Sequence, residues 1–212
     1  MSRPKKFDAC TGAPAVSKRD LILEAAKEVF LESGYAAASM DAVATKANVS
    51  KATIYAHFDS KRGLFEAMIG CRCEDFFADI GLPESFADAR QGLRALGHRF
   101  IELILAPEAL AIHRVVIAEA PRLPEVGDAF YSAGPVRGLA RVAAFLTELT
   151  RLGFLTVPEA DAPLLADLYL SMLKGDIHSR ALLGQPTDQI DVDHLVDMAV
   201  ELVMARYGVL SS

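Results

Sequence analysis

Residues 48–61, NVSKATIYAHFDSK, decide how this 212-residue chain folds. Asn48 falls where a tight turn requires a positive φ, a conformation that Asn adopts more readily than most residues. Ser50 then offers a side-chain oxygen that can cap a short helix ending near Phe58. The stretch therefore predicts a turn followed by a short helix, which is the second half of a helix-turn-helix motif.

The residues before this stretch predict the helices that complete the motif. Ser17 and Asp20 have the spacing of a capping box, and an apolar stripe at helical spacing follows them. Gly34 offers a left-handed end for this first helix. Ser39 can cap a second helix, so that the helix-turn-helix occupies about residues 39–58.

A projection at about 100° per residue predicts how the helix after Ser50 presents its side chains. With Ile54 set inward, Phe58 and Ser50 lie on the same side, whereas Ala52 and Ala56 point directly away. An outer ridge of two alanines would let the helix axis approach another surface closely, and an alanine methyl can touch a thymine methyl. The projection therefore favours a helix that docks against DNA.

Three polar residues of this helix carry donors suited to bases or phosphates, and each has a plainer alternative. Tyr55 flanks the outer ridge, but it could be a half-buried packing aromatic. His57 is closer to the inward side, where a structural hydrogen bond competes with a DNA contact. Lys51 could be an ordinary solvated lysine. Lys61 has a stronger case, because a helix N-terminus and a lysine together favour an anion.

The remainder of the chain predicts long amphipathic helices. Residues 1–16 lack periodicity and are interpreted as a flexible arm, with a disordered tail favoured over an arm that enters a DNA groove. No later segment alternates as a strand would, so the predicted fold class is all-α. Beyond residue 82 the helices are expected near 84–106, 108–120, 126–152, 160–184 and 190–208.

Charge is distributed unevenly along the chain. Residues 1–70 carry ten Lys/Arg and eight Asp/Glu, a net charge of +2, whereas residues 71–212 carry twelve and twenty, a net charge of −8. This asymmetry suggests that only the first third meets a polyanion. The hydrophobic fraction of 52% indicates either a large core or a surface covered by a second copy.

Several classes of protein receive no support from the sequence. Cys10, Cys71 and Cys73 are an odd number without a signal peptide, which favours a reducing, cytoplasmic location. We find no apolar run long enough to span a membrane, no metal-ligand spacing, and no nucleophile elbow or Walker loop. We therefore predict a protein that does not span a membrane, binds no metal or cofactor, and is not an enzyme.

With these residues in view, the N-terminal third resembles the DNA-binding domain of the TetR family of bacterial transcriptional regulators. The resemblance is carried by ILEAAKEVFLESGY, SMDAVATKANVS and KATIYAHFDSK, which span residues 22–35, 39–50 and 51–61. Two positions depart from the family pattern. Asn48 stands where Gly is frequent, and Gly63 stands where Glu or a similar helix former is common, at a cost of about 1 kcal/mol in helix propensity.

The resemblance also implies which residues lie near DNA. It places the second helix start beside the DNA, the recognition helix in the major groove, and Lys61 at a phosphate-contacting helix start. The DNA-binding candidates are Ser39, Asp41, Ser50, Lys51, Ala52, Thr53, Tyr55, His57 and Lys61.

Residues 113–155 resemble the regulatory domain of AcrR/AefR-like members of the family. This similarity implies a helical bundle that dimerises and encloses a small-molecule site. The expected organisation is a three-helix DNA-binding domain over residues 17–69 joined to a ligand-binding and dimerisation domain over residues 70–212. The ligand-binding candidates, each of which could instead be a core or surface residue, are Phe100, Ile104, His113, Ile117, Glu119, Phe130, Tyr131, Phe145, Tyr169 and Met172.

The last two predicted helices supply apolar faces for a dimer, although some of these residues must face the monomer's own core. They are Leu164, Leu165, Leu168, Met172, Leu195, Met198, Val200, Leu202 and Val203.

The leading functional hypothesis is a homodimeric repressor that a small apolar or amphipathic effector releases from a palindromic operator in double-stranded DNA. Repression is not separated by sequence from activation or from a response to a protein partner. An enzyme with an accessory DNA-binding segment and a pure dimerisation module are the alternatives of a different class.

Overall fold

A computed structural model describes residues 17–78 and 85–209 of the chain. Within these ranges the structure is helical, and the β-structure is limited to an isolated bridge between Leu155 and Gly208. The predicted all-α fold class is therefore confirmed. The predicted arm over residues 1–16 lies outside the described ranges. The α-helices are α1 (Lys18–Ala37), α2 (Met40–Ala47), α3 (Lys51–His57), α4 (Lys61–Ala78), α5 (Ala89–Leu105), α6 (Pro107–Glu119), α7 (Pro124–Tyr131), α8 (Arg137–Arg151), α9 (Ala162–Leu182) and α10 (Val192–Tyr207).

The start and end of α1 follow the sequence signals. The Ser17 hydroxyl accepts the Asp20 N–H at 3.1 Å, and the Asp20 carboxylate accepts the Ser17 N–H at 3.1 Å, which completes the capping box. Gly34 has φ of 74°, so the regular helix ends there and Tyr35 begins a short final segment. Both signals are local, and both predictions are confirmed.

Two later helix starts are set by single side chains. Ser60 caps α4, because its hydroxyl accepts the Gly63 N–H at 3.0 Å. Helix α5 begins five residues after the predicted position 84. The Asp88 carboxylate fixes this start by accepting the Gln91 N–H at 2.8 Å.

The helix predicted over residues 126–152 is not continuous. It is divided into α7, a five-residue π-helix over Ser132–Val136, and α8. Pro135 lies inside the π-helical segment. Because proline has no N–H and its ring collides with the preceding turn, it is incompatible with regular α-helical hydrogen bonding at this point.

The described residues divide into two compact units. Unit 1 comprises residues 17–75 and 115–134, and its core includes Phe30, Ile54 and Phe65, each no more than 1% exposed. The rings of Phe30 and Phe65 pack edge to face at 5.1 Å. Residues 115–134 therefore belong with the helix-turn-helix, whereas the sequence placed everything after residue 69 in a separate domain.

Unit 2 comprises residues 76–78, 85–114 and 135–209. Helix α5 packs against α9 and α10, and α8 packs against α9. Tyr169 is fully buried in this core and donates its hydroxyl to the Leu93 carbonyl at 2.7 Å. Gly97 permits this approach, because a Cβ there would lie 2.8 Å from the Tyr169 hydroxyl.

Candidate DNA-binding interface

The turn between α2 and α3 sets the geometry of the motif. Asn48 adopts the left-handed conformation at φ 53° and ψ 46°, as the sequence predicted. The Val49 N–H then donates to the Ala44 carbonyl at 3.0 Å, which closes the turn. Helix α3 is anchored by Ile54 and Phe58, which are 0% and 5% exposed. This anchoring fixes which side of α3 faces outward.

The outward side of α3 carries the expected ridge. Ala52 and Ala56 are exposed, and Tyr55 between them is 46% exposed. At this exposure Tyr55 is half-buried, so its packing role and its DNA contact both stay predictions. His57 is exposed as well, and within the described residues its ring contacts the Phe58 ring at 6.1 Å without a hydrogen bond. Because these side chains are short, α3 can approach closely to the floor of a groove that is wide enough to hold a helix.

Ser50 is placed differently from the projection. It was expected near the inward side, but it is exposed, because its φ of −74° and ψ of 151° put it before the helix rather than within it. Its hydroxyl accepts the Thr53 N–H at 3.0 Å and lies 2.8 Å from the Thr53 hydroxyl. Ser50 thus caps α3 and orients the neighbouring Thr53 side chain.

The first turns of α2 and α3 are joined by an ion pair. The Lys51 ammonium lies 2.9 Å from the Asp41 carboxylate, and these side chains are 49% and 70% exposed. The hydrogen bond to Asp41 raises the pKa of Lys51, so Lys51 is a full positive charge at neutral pH. Ser39 caps α2 by accepting the Ala42 N–H at 3.1 Å. The turn of the motif is therefore surrounded by two capping hydroxyls, from Ser39 and Ser50, and by the ion pair of Asp41 and Lys51.

Lys61 is tied to the end of α1 rather than standing free. Its ammonium donates to the Ala36 carbonyl at 3.0 Å and lies 4.6 Å from the centroid of the Tyr35 ring. Burial lowers the pKa of Lys61. These contacts give Lys61 a structural role in unit 1, and its contact with phosphate stays a prediction.

Glu119 also binds the end of α1, which the sequence did not predict. Its two carboxylate oxygens accept the Tyr35 and Ala36 N–H groups at 2.8 and 2.7 Å. It was expected to be either a ligand-binding residue or a surface residue, and the structure instead makes it a backbone anchor within unit 1. Gly34 admits this approach, because a Cβ at that position would collide with the Glu119 carboxylate.

The ten ligand-binding candidates do not form one group. Ile117 and Tyr131 are 55% and 63% exposed, and together with Glu119 and Phe130 they belong to unit 1. The other six belong to unit 2, where Tyr169 and Phe145 are buried core residues. Three of the six are half-buried hydrophobic residues, namely Phe100, Ile104 and Met172. The sixth, His113, lies beside His178 with ring centroids 5.1 Å apart.

None of the helices in the described residues is both long and apolar enough to cross a membrane. Over the same ranges, no cluster of three or more His, Cys, Asp or Glu side chains could hold a metal ion.

Comparisons with known protein families match both halves of the chain. The model for bacterial regulatory proteins of the TetR family matches residues 22–68. The model for the C-terminal domain of AefR-like transcriptional repressors matches residues 91–209, which is more than half of the chain. The regulatory domain predicted from residues 113–155 therefore belongs to the class that the sequence suggested.

Curated relatives match over part of the chain. The transcriptional activator FasR of Mycolicibacterium smegmatis is 37% identical over 92 residues, which are 43% of this chain and 42% of FasR. The negative regulator IcaR of the biofilm operon icaADBC in Staphylococcus aureus is 37% identical over 62 residues, which are 29% of this chain and 33% of IcaR. The chain thus aligns with less than half the length of these relatives.

Solved structures extend the similarity over nearly the whole chain. A crystal structure of a TetR-family transcriptional regulator from Mesorhizobium loti is 31% identical, with a TM-score of 0.73, and the match covers 91% of this chain and 97% of that one. The flavonoid-responsive regulator FrrA is 29% identical, with a TM-score of 0.72 and coverage of 90% and 97%. The family models and these structures identify a transcriptional regulator and not an enzyme, and the chain belongs to the TetR family of DNA-binding transcriptional regulators.

Proposed function

We propose that the protein is a homodimeric, cytoplasmic repressor that binds a palindromic operator and leaves it when a small apolar or amphipathic effector binds. The observation that carries the proposal is the outward face of α3. Its alanine ridge is exposed while Ile54 and Phe58 anchor the opposite side in the core. A helix held in this way can enter a major groove and present Thr53 and Tyr55 to base edges.

A second copy is the proposed occupant of an apolar surface on unit 2. Leu164 and Leu168 lie one turn apart on α9, and Met198 and Leu202 lie one turn apart on α10. All four are at least 50% exposed, whereas the neighbouring Leu165, Val200 and Val203 are buried in the core. We call these four residues the α9–α10 face. Two such faces would pack as a four-helix interface, and a dimer fits an operator with two half-sites.

The response to an effector is supported by two observations. The regulatory part of the chain matches the AefR-like repressor domain, and FrrA is described as flavonoid-responsive. A flavonoid is an aromatic, amphipathic molecule of the class that we propose for this protein. An effector that binds the DNA-free state more tightly releases DNA, typically with a coupling of about 1–3 kcal/mol.

The test of DNA binding begins with selection from a randomised pool of duplexes by the full-length protein. We expect a palindromic site with half-site centres about 34–36 Å apart and an affinity that falls steeply with salt. Ala52→Glu should abolish specific binding, because it places a carboxylate on the ridge. Ala144→Glu, at an exposed position of α8, is the matched control and should bind normally. Equal binding by the two variants would contradict the proposed role of α3.

Activation is the second candidate for the regulatory output. FasR is named an activator and IcaR a negative regulator, so relatives of both kinds exist. Mapping the selected site relative to the promoter and measuring transcription with and without the protein distinguishes the two outputs. A site that overlaps the promoter and lowers transcription supports repression.

A further inference from the structure

Two histidines face each other inside unit 2. His113 lies on α6 and His178 on α9, with ring centroids 5.1 Å apart and planes inclined by 36°. His178 is 4% exposed and His113 is half-buried. The chain has five histidines, and the other three, His57, His98 and His194, are exposed or half-exposed. Only at His178 does the fold enclose an imidazole.

Both rings are neutral at neutral pH. Burial, followed by the charges of Lys174 and His113, lowers the pKa of His178 to about 4. Burial, followed by the charge of Lys174, also lowers the pKa of His113. A neutral imidazole has one nitrogen that donates a hydrogen bond and one that accepts. The pair therefore offers hydrogen-bond acceptors in a largely apolar helical unit.

His178 is incompletely satisfied by the protein. Among the described residues it has the ring contact with His113 but makes no hydrogen bond. Buried polar groups are nearly always hydrogen-bonded, and an unsatisfied one destabilises the fold. Among the described residues, the ring nitrogens of His178 are not fully enclosed polar atoms, so they open onto space where water or a ligand can supply the hydrogen bond.

The backbone of α9 is irregular beside this pair. Gly175, with φ of 19° and ψ of −133°, interrupts the helix three residues before His178. Glycine is a common cause of helix kinks. Lys174, directly before the interruption, is exposed and supplies the positive charge that acts on both imidazoles. The interruption thus separates the segment that bears His178 from the first part of α9.

We propose that His113 and His178 form the polar end of the effector site and accept hydrogen bonds from a phenolic hydroxyl of an otherwise apolar effector. This inference rests on the proposed function as an effector-responsive regulator. A phenol carries the proton that a neutral imidazole can accept. A carboxylate is ionised at neutral pH and has no such proton to donate.

The experiment uses the full-length protein, naringenin as a phenolic flavonoid probe, and naringenin trimethyl ether, which lacks the donors. Calorimetry measures their affinity, and fluorescence anisotropy measures binding to the selected operator. We expect the ether to bind at least about tenfold more weakly than naringenin, as loss of a buried hydrogen bond predicts. Equal affinity of the two compounds, or no binding of naringenin, would overturn the inference.

Variants locate the effect. His178→Phe and His113→Phe keep the ring volume but remove the acceptors, and each should weaken naringenin binding by about tenfold or more. His194→Phe, at an exposed position of α10, is the matched control and should bind naringenin normally. Wild-type affinity in both His178→Phe and His113→Phe would contradict the proposal.

Two measurements keep this test independent of folding and of DNA binding. In the wild-type protein, the ¹⁵N ring resonances of His178 should shift on addition of naringenin but not of the ether, and unchanged resonances would reject the contact. Operator affinity without effector should be the same in all variants. If the wild-type protein binds no operator, the proposed function fails, whereas the calorimetry and resonances still decide the histidine site.

Discussion

Helix α3 in unit 1 and helix α9 in unit 2 differ in where they place their polar side chains. Helix α3 has an apolar inner side at Ile54, and its exposed residues include Tyr55 and His57. Helix α9 has the reverse at two positions, because His178 is buried whereas Leu168 is 52% exposed. The first arrangement is that of a surface helix in a folded monomer. The second is what the proposed dimer and effector site would produce, with a second copy covering Leu168 and an effector contacting His178.

This difference also separates the energetics of the two regions. The ion pair of Asp41 and Lys51 is exposed, and pairs of this kind contribute about 0–1 kcal/mol. Changes there should alter DNA binding with little effect on folding. The free energy of unfolding depends on whether a buried imidazole is protonated, so changes at His178 should alter stability as well.

The largest effect is expected at the α9–α10 face. Leu168→Asp places a charge in the centre of the proposed dimer interface, and monomers would lose the joint binding of two half-sites. We expect operator affinity to fall by about a hundredfold or more. Sedimentation or light scattering should show a monomer at concentrations where the wild-type protein is a dimer.

Leu183→Asp is the control for this substitution, because Leu183 is 77% exposed at the C-terminal end of α9 and lies outside the face. It should remain dimeric. A Leu168→Asp protein that is still a dimer would show that the exposed leucines of α9 serve another contact, and the comparison with α3 would lose its main support.

The next effect is a pH dependence of stability caused by His178. Its pKa is lowered from 6.5 to about 4 in the folded state, so the unfolded state binds the proton more readily. The stabilising contribution is therefore complete above about pH 6.5 and is lost as the pH falls toward 4, by up to about 3 kcal/mol. Urea unfolding at a series of pH values measures this slope.

His178→Phe should flatten the decline in the free energy of unfolding between pH 6.5 and 4, whereas His194→Phe should retain it. If both variants show the wild-type decline, His178 is not enclosed as described, and the contrast between the two helices disappears.

A third prediction concerns Glu119 and stays within unit 1. Glu119→Ala removes the acceptor of the Tyr35 and Ala36 N–H groups, and we expect a loss of about 1–3 kcal/mol in the free energy of unfolding. Glu66→Ala, which removes a partly exposed ion pair with Arg62 on α4, should cost much less. Equal losses would show that water replaces the Glu119 carboxylate without penalty.

The sequence predicted those parts of unit 1 that depend on near neighbours. The capping box at Ser17, the positive φ at Asn48 and the inward position of Ile54 were all read from residues within one or two turns. The predicted inward position of Ser50 was wrong, because a helical projection does not apply to a capping residue, whose backbone is extended.

Distant contacts were beyond the same reasoning. Glu119 binds a backbone 84 residues earlier in the chain, and no periodicity connects the two. For His113 and His178, the sequence contains only two histidines on separate helices, and their proximity follows from the packing of those helices. Gly34 was the one available signal for the Glu119 contact, since a left-handed helix end leaves N–H groups that need an acceptor.

The smallest expected effect tests the surface of the helix-turn-helix. Asp41→Asn frees Lys51 from its intramolecular partner and removes a negative charge near the DNA. We expect affinity for random-sequence DNA to rise a few-fold and the log–log salt slope to steepen by roughly one unit, because one more cation becomes available to phosphate. Glu24→Gln on α1 makes the same change in net charge at a distance from the turn and should leave the slope unchanged. If both variants raise affinity equally, net charge alone governs binding and the pair of Asp41 and Lys51 has no local role. If only Asp41→Asn acts, the carboxylate restrains Lys51 on non-specific DNA, and the surface of the helix-turn-helix includes an element that opposes binding as well as elements that favour it.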